Sequence, residues 1–425
     1  MRRVVVTGAG VVSPIGTGLP AFFEGLRRGR PGVDTIRSFD AGGLPTRIAG
    51  EVRDMDLEAV PLPEAEGFAL RRDPKSVFGI VAAREALAGA FGAGPRTERY
   101  EPSRMGAFLA TGLEIFHLED IVPHVRAGIV DAPRLLESLE ASPALARLQI
   151  PADLGARRIA REAGAEGFYS VNVSACTAST QSLGEAFRAI RDGRVDAAIT
   201  GGYDSMVNPL GVGGFCLLEA LSTRNDLRGA ASRPFDARRD GFVLGEGAGI
   251  CVLEEYEEAR KRSAPILAEV LGYGSTLDAY RVTDPAPDHA GAAAAMGAAL
   301  ADAGLPAAEV DYINAHGTGT RANDPAEVAA IRSVFGERAD RIPVSSTKSQ
   351  IGHLIGAAGA VEFLAALFAL KKGIVPATIN LTDPDPECDL DFVPLIPRRA
   401  PVRTVMSNSF GFGGQNAVIL AGELR

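Results

Sequence analysis

Two successive series of predicted strands and helices constrain the fold of this 425-residue chain more than any other feature. The first series comprises strand 2–7, helix 76–91, strands 105–111 and 168–173, helix 177–191, and strands 195–200 and 248–253. The second comprises strand 266–272, helix 289–303, strand 310–314, helix 324–335, strand 342–344, helix 354–371, strand 403–407 and hairpin-like segment 416–422. Such alternation predicts an α/β fold with parallel sheets that carry helices on their faces. The similar order of the two series suggests an internal structural duplication.

The break between the two series lies near 255–263, where the chain is strongly charged. We therefore expect an N-terminal half of residues 1–258 and a C-terminal half of residues 259–425. Within the first half, segment 113–165 is rich in Pro, Arg and Glu and has weak periodicity. This segment is predicted to be a cap-like insertion of short helices.

Composition excludes several classes of protein. A hydrophobic content of 46%, with 49 Gly and 27 Pro, fits a well-packed enzyme rich in tight turns. The formal net charge of −9 argues against nucleic-acid binding. The N-terminal apolar run is too short for a signal peptide. The longest apolar stretch, 354–370, contains Glu362 and several Gly, so we predict a buried helix there and a cytoplasmic protein without membrane insertion.

The four cysteines, at positions 176, 216, 251 and 388, lie far apart, with no Cys-x-x-Cys pair and no His cluster. This spacing predicts neither a zinc site nor a disulfide framework, and it suits a reducing compartment.

Cys176 is distinguished by its position between a predicted strand and a predicted helix, in Val-Asn-Val-Ser-Ala-Cys-Thr-Ala-Ser-Thr (171–180). A helix N-terminus offers unpaired N–H groups and a positive dipole end, which favour thiolate over thiol. Position alone leaves two interpretations open, a reactive nucleophile and a small buried side chain.

Two of the five histidines lie in glycine-containing loops just after predicted strands. His316 lies in Asn-Ala-His-Gly-Thr-Gly-Thr (314–320), and His353 ends Ser-Ser-Thr-Lys-Ser-Gln-Ile-Gly-His (345–353). Open α/β sheets place their ligand sites at strand ends, and flanking glycines let the backbone approach a substrate. These positions therefore indicate functional histidines.

Four motifs follow one another along the chain: Ser-Ala-Cys-Thr-Ala-Ser, Ala-His-Gly-Thr-Gly-Thr with Asp324 and Glu327, Thr-Lys-Ser-Gln-Ile-Gly-His, and Asn-Ser-Phe-Gly-Phe-Gly-Gly-Gln-Asn (408–416). In this order they resemble the β-ketoacyl-acyl carrier protein synthases, particularly the elongating type II enzymes of the KAS II kind. The resemblance extends over essentially the whole chain. It implies a thiolase-like duplicated fold, with two α/β halves in a layered α-β-α-β-α core.

The implied reaction is a decarboxylative Claisen condensation, in which an acyl group on a cysteine meets a carbanion made from a malonyl thioester. Cys176 matches the family nucleophile. The backbone N–H groups of Cys176 and Phe412 are the implied oxyanion hole. His316 and His353 match the pair that donates to the malonyl thioester oxygen.

Further positions match supporting residues of the family. Lys348 matches a lysine that supports the second histidine electrostatically, and Glu362 matches its carboxylate partner. A carboxylate within an apolar helix needs such a partner, because an unpaired buried charge is costly.

Five residues are implied in substrate binding. Thr318 and Thr320 resemble residues that contact the pantetheine arm. Phe410 and Phe412 lie among three glycines, which suggests a mobile gate. Leu113 falls where the bacterial elongating enzymes have a glycine-rich acyl-pocket segment.

The implied partner is an acyl carrier protein that presents acyl and malonyl thioesters. Phosphopantetheine arrives on the carrier, so no resident cofactor and no metal are expected. A homodimer is expected, and a heterodimer with a related subunit stays open. Because the carrier is expected to be acidic, a local basic patch should dock it. The two candidates are Arg71, Arg72 and Lys75, or Arg157, Arg158 and Arg161.

Some positions depart from the housekeeping pattern. Glu219 stands where bacterial elongating enzymes often carry a basic docking residue, and Gly-Gly-Tyr-Asp (201–204) replaces the commoner Gly-Gly-Ala-Glu. These departures leave open a specialised role in polyketide, polyene or unusual fatty-acid assembly.

Three competing interpretations fit less well. Segment 7–13 imitates a dinucleotide-binding loop, but Ser13 replaces its third glycine. A thiolase would carry a second catalytic cysteine in a Gly-rich loop, whereas Cys388 lies in a Pro/Asp-rich segment. A non-catalytic, chain-length-determining partner subunit would typically lack the nucleophile, which this chain retains at Cys176.

Overall fold

A computed structural model of the protein describes residues 1–92, 99–114, 118–141, 150–287 and 289–424. The strands of the N-terminal half are β1 (Val4–Ser13), β2 (Gly16–Thr17), β3 (Val33–Thr35), β4 (Ile48–Gly50), β5 (Met105–Thr111), β6 (Val125–Arg126), β7 (Ile129–Val130), β8 (Tyr169–Asn172), β9 (Ala197–Ser205) and β10 (Glu246–Glu255). Those of the C-terminal half are β11 (Ala268–Leu277), β12 (Tyr312–Asn314), β13 (Val344–Ser345), β14 (Ile374–Val375), β15 (Arg398–Arg399), β16 (Thr404–Gly411) and β17 (Gln415–Gly422).

An 11-stranded sheet runs through the molecule in the order β13-β12-β16-β17-β11-β1-β10-β9-β5-β8, with β2 paired to β1. Its two halves share one internal order. The principal strands are β1, β5, β8, β9 and β10 in the N-terminal half, and β11, β12, β13, β16 and β17 in the C-terminal half. When each set is numbered along the chain, both lie in the order third, second, fourth, fifth, first from the edge of the sheet to its centre. At the centre β1 pairs with β11, with Val4 opposite Val270. The strand topology thus shows the predicted duplication.

The sheet is mixed, so the prediction of parallel sheets is wrong for its central part. Among the strands that the structure describes, parallel ladders join β5 to β8 and β9, and β12 to β13 and β16. The pairs β9–β10, β10–β1, β11–β17 and β16–β17 are antiparallel. β16 and β17 are joined by a tight turn in which Gly413 and Gly414 have positive φ. A parallel neighbour would need a much longer crossover connection, so β17 pairs antiparallel with β16.

The helices are α1 (Leu19–Arg28), α2 (Glu64–Arg72), α3 (Pro74–Phe91), α4 (Leu118–Ile121), α5 (Ala132–Glu140), α6 (Leu154–Ala163), α7 (Ala178–Arg191), α8 (Pro209–Leu217), α9 (Tyr256–Lys261), α10 (Ala290–Ala303), α11 (Asn323–Phe335), α12 (Lys348–Ile351) and α13 (Ala358–Lys372). The predicted boundary between residues 258 and 259 falls within α9 and stays a prediction.

Helices form three layers around the sheet. α3 and α6 pack on the N-terminal half, and α10 and α11 pack on the C-terminal half. α7 and α13 pack against each other and contact strands of both halves, which completes the predicted α-β-α-β-α order. Their approach requires a small residue, because a Cβ on Gly359 would lie 1.9 Å from Oγ1 of Thr180.

Three predicted segments have defined places in this fold. Residues 7–13 belong to β1, and residues 8–12 pair with β10, so they form no phosphate-binding loop. The apolar stretch 354–370 is buried, although α13 begins later than predicted because Ile355 has φ of 43°. The described part of 113–165 contains α4 to α6 and the β6–β7 hairpin. Across the described ranges, no helix has the length and apolarity needed to cross a membrane.

Candidate active site

Cys176 lies in the sharp turn that joins β8 to α7. Ala175, just before it, has φ of 50°, a left-handed conformation that residues with a Cβ seldom adopt. The chain then passes through one 3₁₀ turn, Ala175–Thr177, directly into α7. The thiol is buried and lines a cavity.

The protonation of Cys176 differs from the sequence-based expectation. Burial raises the pKa of the thiol to about 11. The backbone N–H of Phe412, the charge of Lys348 and the N–H of Cys176 itself lower the pKa, but burial outweighs them. Burial therefore opposes the thiolate that the helix N-terminus is expected to favour. The resting group is a neutral thiol that must lose its proton during the reaction.

His353 touches the thiol, with 3.0 Å between its Nε2 and the sulfur of Cys176. The backbone N–H of Ile355 donates to Nδ1 of the ring at 3.3 Å, which assigns the proton of the neutral ring to Nε2. Burial lowers the pKa of His353 well below its ordinary range, and the charge of Lys348 lowers it further. His353 is therefore a neutral imidazole that presents an N–H to the sulfur.

His316 packs edge-on against His353, with 5.3 Å between the ring centroids. Burial lowers the pKa of His316 well below its ordinary range, and the charge of Lys348 acts in the same direction. The pocket therefore holds two neutral imidazoles beside one neutral thiol.

The backbone around His316 is held by α11. Glu327 accepts the N–H groups of His316 at 2.9 Å and of Gly317 at 2.7 Å, and Asn408 donates to it at 3.1 Å. Asp324 accepts the N–H of Gly319 at 3.1 Å. These two acids belong to the motif around His316, but the motif alone predicted no role for them. Two carboxylates three residues apart in the helix after a glycine-rich loop are the signal that could have assigned them to that loop.

Lys348 and Glu362 form a buried ion pair. The Lys348 ammonium also donates to the carbonyl oxygen of His316 at 2.6 Å. Lys348 thus forms a hydrogen bond with the backbone of His316, whereas it acts on His353 only through its charge. Burial raises the pKa of the Glu362 carboxyl, and Lys348 opposes that rise.

A cavity of about 320 Å³ is lined by Cys176 and both histidines. Four of the five residues predicted to bind substrate also line it: Thr318, Thr320, Phe410 and Phe412. The two threonine hydroxyls lie 3.0 Å apart. The structure therefore brings Cys176, His316 and His353 together with the loop of Phe410 and Phe412. The predicted catalytic residues Lys348 and Glu362 do not line this cavity.

Leu113 is the predicted substrate-binding residue that the structure does not place in this cavity. Its side chain is 61% exposed. Beside it, a Cβ on Gly112 would lie 1.9 Å from the carboxyl of Asp204, so that acid fills the space next to the end of β5. Residues 115–117, which follow shortly after Leu113, lie outside the described residues.

Cys176, His316 and His353 present three potential metal-ligand atoms within 4.8 Å of one another. Zinc takes such ligands only when the sulfur and the ligating nitrogen are deprotonated. Here the thiol is neutral and the contact of Ile355 with Nδ1 keeps the proton on Nε2 of His353. A metal would have to displace the thiol proton and the Nε2 proton to bind here, and a site without metal stays the prediction.

Sequence profiles of known families match most of the chain. The profile of the beta-ketoacyl synthase N-terminal domain matches residues 1–259, and that of the C-terminal domain matches residues 267–382. The chain belongs to the β-ketoacyl synthase family. The expected family, its acyltransferase class and its fold are thereby confirmed.

Relatives of this β-ketoacyl synthase match nearly end to end. The 3-oxoacyl-[acyl-carrier-protein] synthase 2 of Coxiella burnetii is 41% identical over 420 residues, which are 99% of this chain and 98% of that protein. The synthase of the same name from Synechocystis sp. is 42% identical over 422 residues, which are 98% of this chain and 97% of that protein.

Solved structures of ketosynthases superpose on the whole chain. A beta-ketoacyl synthase from Burkholderia phymatum has a TM-score of 0.88 at 33% identity, with both chains fully covered. The ishigamide ketosynthase/chain length factor has a TM-score of 0.84 at 37% identity, again with full coverage of both chains. A ketosynthase complex with a type II polyketide acyl-carrier protein, AntDE:AntF, has a TM-score of 0.85 at 33% identity and the same coverage.

Proposed function

We propose that this β-ketoacyl synthase condenses a cysteine-bound acyl group with malonyl-acyl carrier protein to give 3-oxoacyl-acyl carrier protein. The observation that carries the proposal is the meeting of one thiol and two neutral imidazoles in a buried cavity, with Cys176 sulfur 3.0 Å from His353 Nε2. Sulfur exchanges thioesters readily, and neutral N–H donors stabilise an enolate oxygen. The 3-oxoacyl-[acyl-carrier-protein] synthase 2 relatives support the same reaction.

In the first half-reaction, the sulfur of Cys176 attacks the carbonyl carbon of an acyl-carrier thioester. A carbon–sulfur bond to Cys176 forms, the bond to the carrier sulfur breaks, and the proton of the thiol ends on the departing carrier sulfur. The backbone N–H groups of Cys176 and Phe412 are the proposed oxyanion hole, because both lower the pKa of this thiol and so act on the charge at the reacting centre.

In the second half-reaction, malonyl-carrier enters and loses CO₂, and the electron pair of the broken carbon–carbon bond forms an enolate. His316 and His353 are proposed to donate their N–H groups to the enolate oxygen. The carbanion carbon then attacks the acyl carbonyl, the bond to Cys176 breaks, and the sulfur takes a proton from solvent. Neutral imidazoles suffice because neither histidine has to accept a proton.

The remaining site residues are proposed to position these groups. Lys348, with Glu362, holds the backbone of the His316 loop. Thr318 and Thr320 are proposed to contact the pantetheine arm, and the Phe410–Phe412 loop to gate the cavity that they line. Phosphopantetheine arrives on the carrier, so no resident cofactor is proposed.

The proposal is tested by mass spectrometry of the protein after incubation with octanoyl-carrier. The octanoyl mass should appear on the intact protein and on the peptide that contains Cys176. Cys176→Ala should remove this adduct, and Cys388→Ala, at another buried free cysteine, should retain it. An adduct that survives Cys176→Ala would refute the assignment. Acyl groups of different length and unsaturation in the same assay will identify the chain that the enzyme carries.

We propose further that the chain forms a homodimer along β8 and acts in the cytoplasm. β8 ends the sheet and, among the described strands, pairs with β5 alone. Phe168, Tyr169 and Val173 expose apolar surface beside this open edge, and such an edge readily accepts another strand. Four free cysteines suit a reducing compartment.

The alternative is a non-catalytic, chain-length-determining subunit of a heterodimer, which the ishigamide ketosynthase/chain length factor brings into consideration. Light scattering of the purified chain should give twice the monomer mass, and that dimer should condense acyl and malonyl carriers unaided. A chain that condenses nothing by itself would support the alternative.

A further inference from the structure

Segment 394–403, Pro-Leu-Ile-Pro-Arg-Arg-Ala-Pro-Val-Arg, presents two aliphatic side chains to solvent. Leu395 is 47% exposed and Ile396 is 74% exposed, and a proline flanks the pair on either side. Leu395 has φ of 65°, which bulky side chains seldom adopt, and its N–H donates to the carbonyl oxygen of buried Thr378 at 3.0 Å. Strained backbone of this kind is concentrated at functional sites. The fold therefore holds an apolar tip, Leu395 and Ile396, outside the core.

Basic side chains lie beside this apolar tip. In the β14–β15 ladder Arg399 is opposite Ile374, which places it next to Lys371 and Lys372 at the end of α13. Arg403 ends the same segment. All four of these basic side chains are exposed.

The end of α1 adds further cations. A Cβ on Gly29 would lie 3.7 Å from Cδ of Pro397, so the end of this helix packs beside the apolar tip. Arg27 and Arg28 precede Gly29, Arg30 follows it, and all three arginines are exposed. We call segment 394–403, residues 27–30, Lys371 and Lys372 together the basic surface.

Ion pairs within the chain leave the basic surface positive. Its paired arginines are Arg27 and Arg28 with Glu24, and Arg398 with Asp391. The other cations form no ion pair with any residue that the structure describes: Arg30, Lys371, Lys372, Arg399 and Arg403. One exposed acid, Glu423, borders this surface, since its N–H donates to the carbonyl oxygen of Arg403 at 2.9 Å. In a chain of net charge −9, such a surface selects how the protein approaches an anionic partner.

Exposed aliphatic side chains among free cations are typical of a surface that lies on an anionic lipid bilayer. The aliphatic groups enter the interface, and each lysine or arginine is attracted to the charged headgroups. A bilayer accepts a protruding side chain such as Ile396 without a complementary pocket, whereas a folded protein partner has to supply one. The protruding apolar tip therefore favours a lipid surface over an acidic protein.

We propose that the basic surface docks the protein on a bilayer that contains anionic phospholipids. Leu395 and Ile396 enter the headgroup region, and the unpaired cations contact the phosphates. No helix of the described residues could cross a membrane, so the attachment is peripheral and reversible. The 15 residues of α13 span about 22 Å between the loop of His353 and Lys372, so the catalytic cavity lies at the other end of this helix.

The test is co-sedimentation of the purified full-length protein with vesicles. One set contains phosphatidylcholine alone, and the other contains equal parts of phosphatidylcholine and phosphatidylglycerol. The protein should bind the anionic vesicles at least about tenfold more tightly than the neutral ones, and added salt should release it.

Substitutions in the basic surface should weaken this binding. Ile396→Glu should lower the affinity for anionic vesicles by about tenfold, because a charged group replaces an aliphatic one in the interface. Lys372→Glu/Arg399→Glu should lower it by at least about a hundredfold, since two attractions become repulsions. Both variants should transfer octanoyl groups to Cys176 at the wild-type rate, which also shows that they are folded.

The matched controls lie in the β6–β7 hairpin. Ile129 is 73% exposed, almost the same as Ile396, and Arg126 is an exposed arginine of the same hairpin. Ile129→Glu and Arg126→Glu should each bind anionic vesicles within about twofold of the wild type, because the hairpin lies outside the basic surface.

Three results would overturn the proposal. The first is that the protein binds neither kind of vesicle, or binds both equally. The second is that the hairpin variants lose as much affinity as the variants of the basic surface. The third is that the protein binds polyglutamate through Lys372 and Arg399 but binds no vesicle, which would identify an acidic protein as the partner instead. None of these results bears on the proposed condensation, because vesicle binding is measured without acyl transfer.

Discussion

The two halves of the sheet share one strand order but supply different chemistry. After its third principal strand, β8, the N-terminal half places Cys176 and begins α7. After its third strand, β13, the C-terminal half places Lys348 and His353 and begins α13. After the second strand, the C-terminal half has a short loop with His316, whereas the N-terminal half has the segment predicted as a cap.

This difference shows how a duplicated fold assembles one site from two related turns. Because α7 and α13 pack against each other, the turns that precede them meet in one cavity. The nucleophile then comes from one half and both imidazoles from the other. Acyl transfer should therefore depend on the turn at Cys176, and decarboxylation on the loops of His316 and His353, so that the two half-reactions can be separated by substitution.

The C-terminal half should be most sensitive to loss of its buried ion pair. Lys348→Ala should lower the free energy of unfolding by about 3 kcal/mol, because Glu362 is then buried without its partner. The double variant Lys348→Met/Glu362→Leu should recover most of that stability, since it leaves no unpaired charge. Urea unfolding followed by circular dichroism measures both. Equal losses in the two variants would contradict the explanation by charge.

The two halves should also differ in their dependence on pH. Burial raises the pKa of the Cys176 thiol to about 11, so the thiolate fraction at neutral pH is small and increases with pH. Octanoyl transfer to Cys176 should accelerate by about tenfold per pH unit, or about a hundredfold from pH 7 to pH 9. Decarboxylation should stay constant over this interval, because the pKa values of His316 and His353 are lowered and both rings are already neutral.

Quenched-flow mass spectrometry gives the transfer rate, and CO₂ release by Cys176→Ala gives the decarboxylation rate. Transfer that is already constant between pH 7 and pH 9 would mean that the helix N-terminus outweighs burial at Cys176.

The contact between the halves at α7 and α13 should tolerate no added methyl group. Gly359→Ala should destabilise the protein by about 1–3 kcal/mol, because the new Cβ would collide with the Thr180 hydroxyl. Gly297→Ala, in α10 with open space around it, is the matched control. It should be neutral or stabilise by about 0.5–1 kcal/mol. A lower melting temperature for both variants would indicate a general intolerance of alanine.

The smallest effect is expected on the surface of the N-terminal half. Arg161→Ala removes one ion pair with Glu66 from a predicted docking patch. It should change stability by less than about 1 kcal/mol, since exposed ion pairs contribute little. The KM for the acidic carrier should change less than twofold. A tenfold increase in that KM would instead identify the patch of Arg157, Arg158 and Arg161 as a docking site for the carrier.

Local structure and the identity of the site residues could be predicted well from the sequence, because both depend on short-range sequence patterns. Strand and glycine signals placed Cys176, His316 and His353 at strand ends, where parallel strands bring them together. Protonation and pairing could not be predicted, since they depend on burial and distant partners. The thiol is neutral because of its surroundings, and Arg161 meets Glu66 across 95 residues of sequence.

The division of labour between the halves is tested most directly by the double variant His316→Ala/His353→Ala, assayed for both half-reactions after a thermal melt confirms folding. Octanoyl transfer to Cys176 should stay within about threefold of the wild-type rate, because neither imidazole has to remove the thiol proton. CO₂ release from malonyl-carrier should fall by at least about a hundredfold, since both N–H donors to the enolate are lost. A folded variant that loses both activities equally would contradict the account.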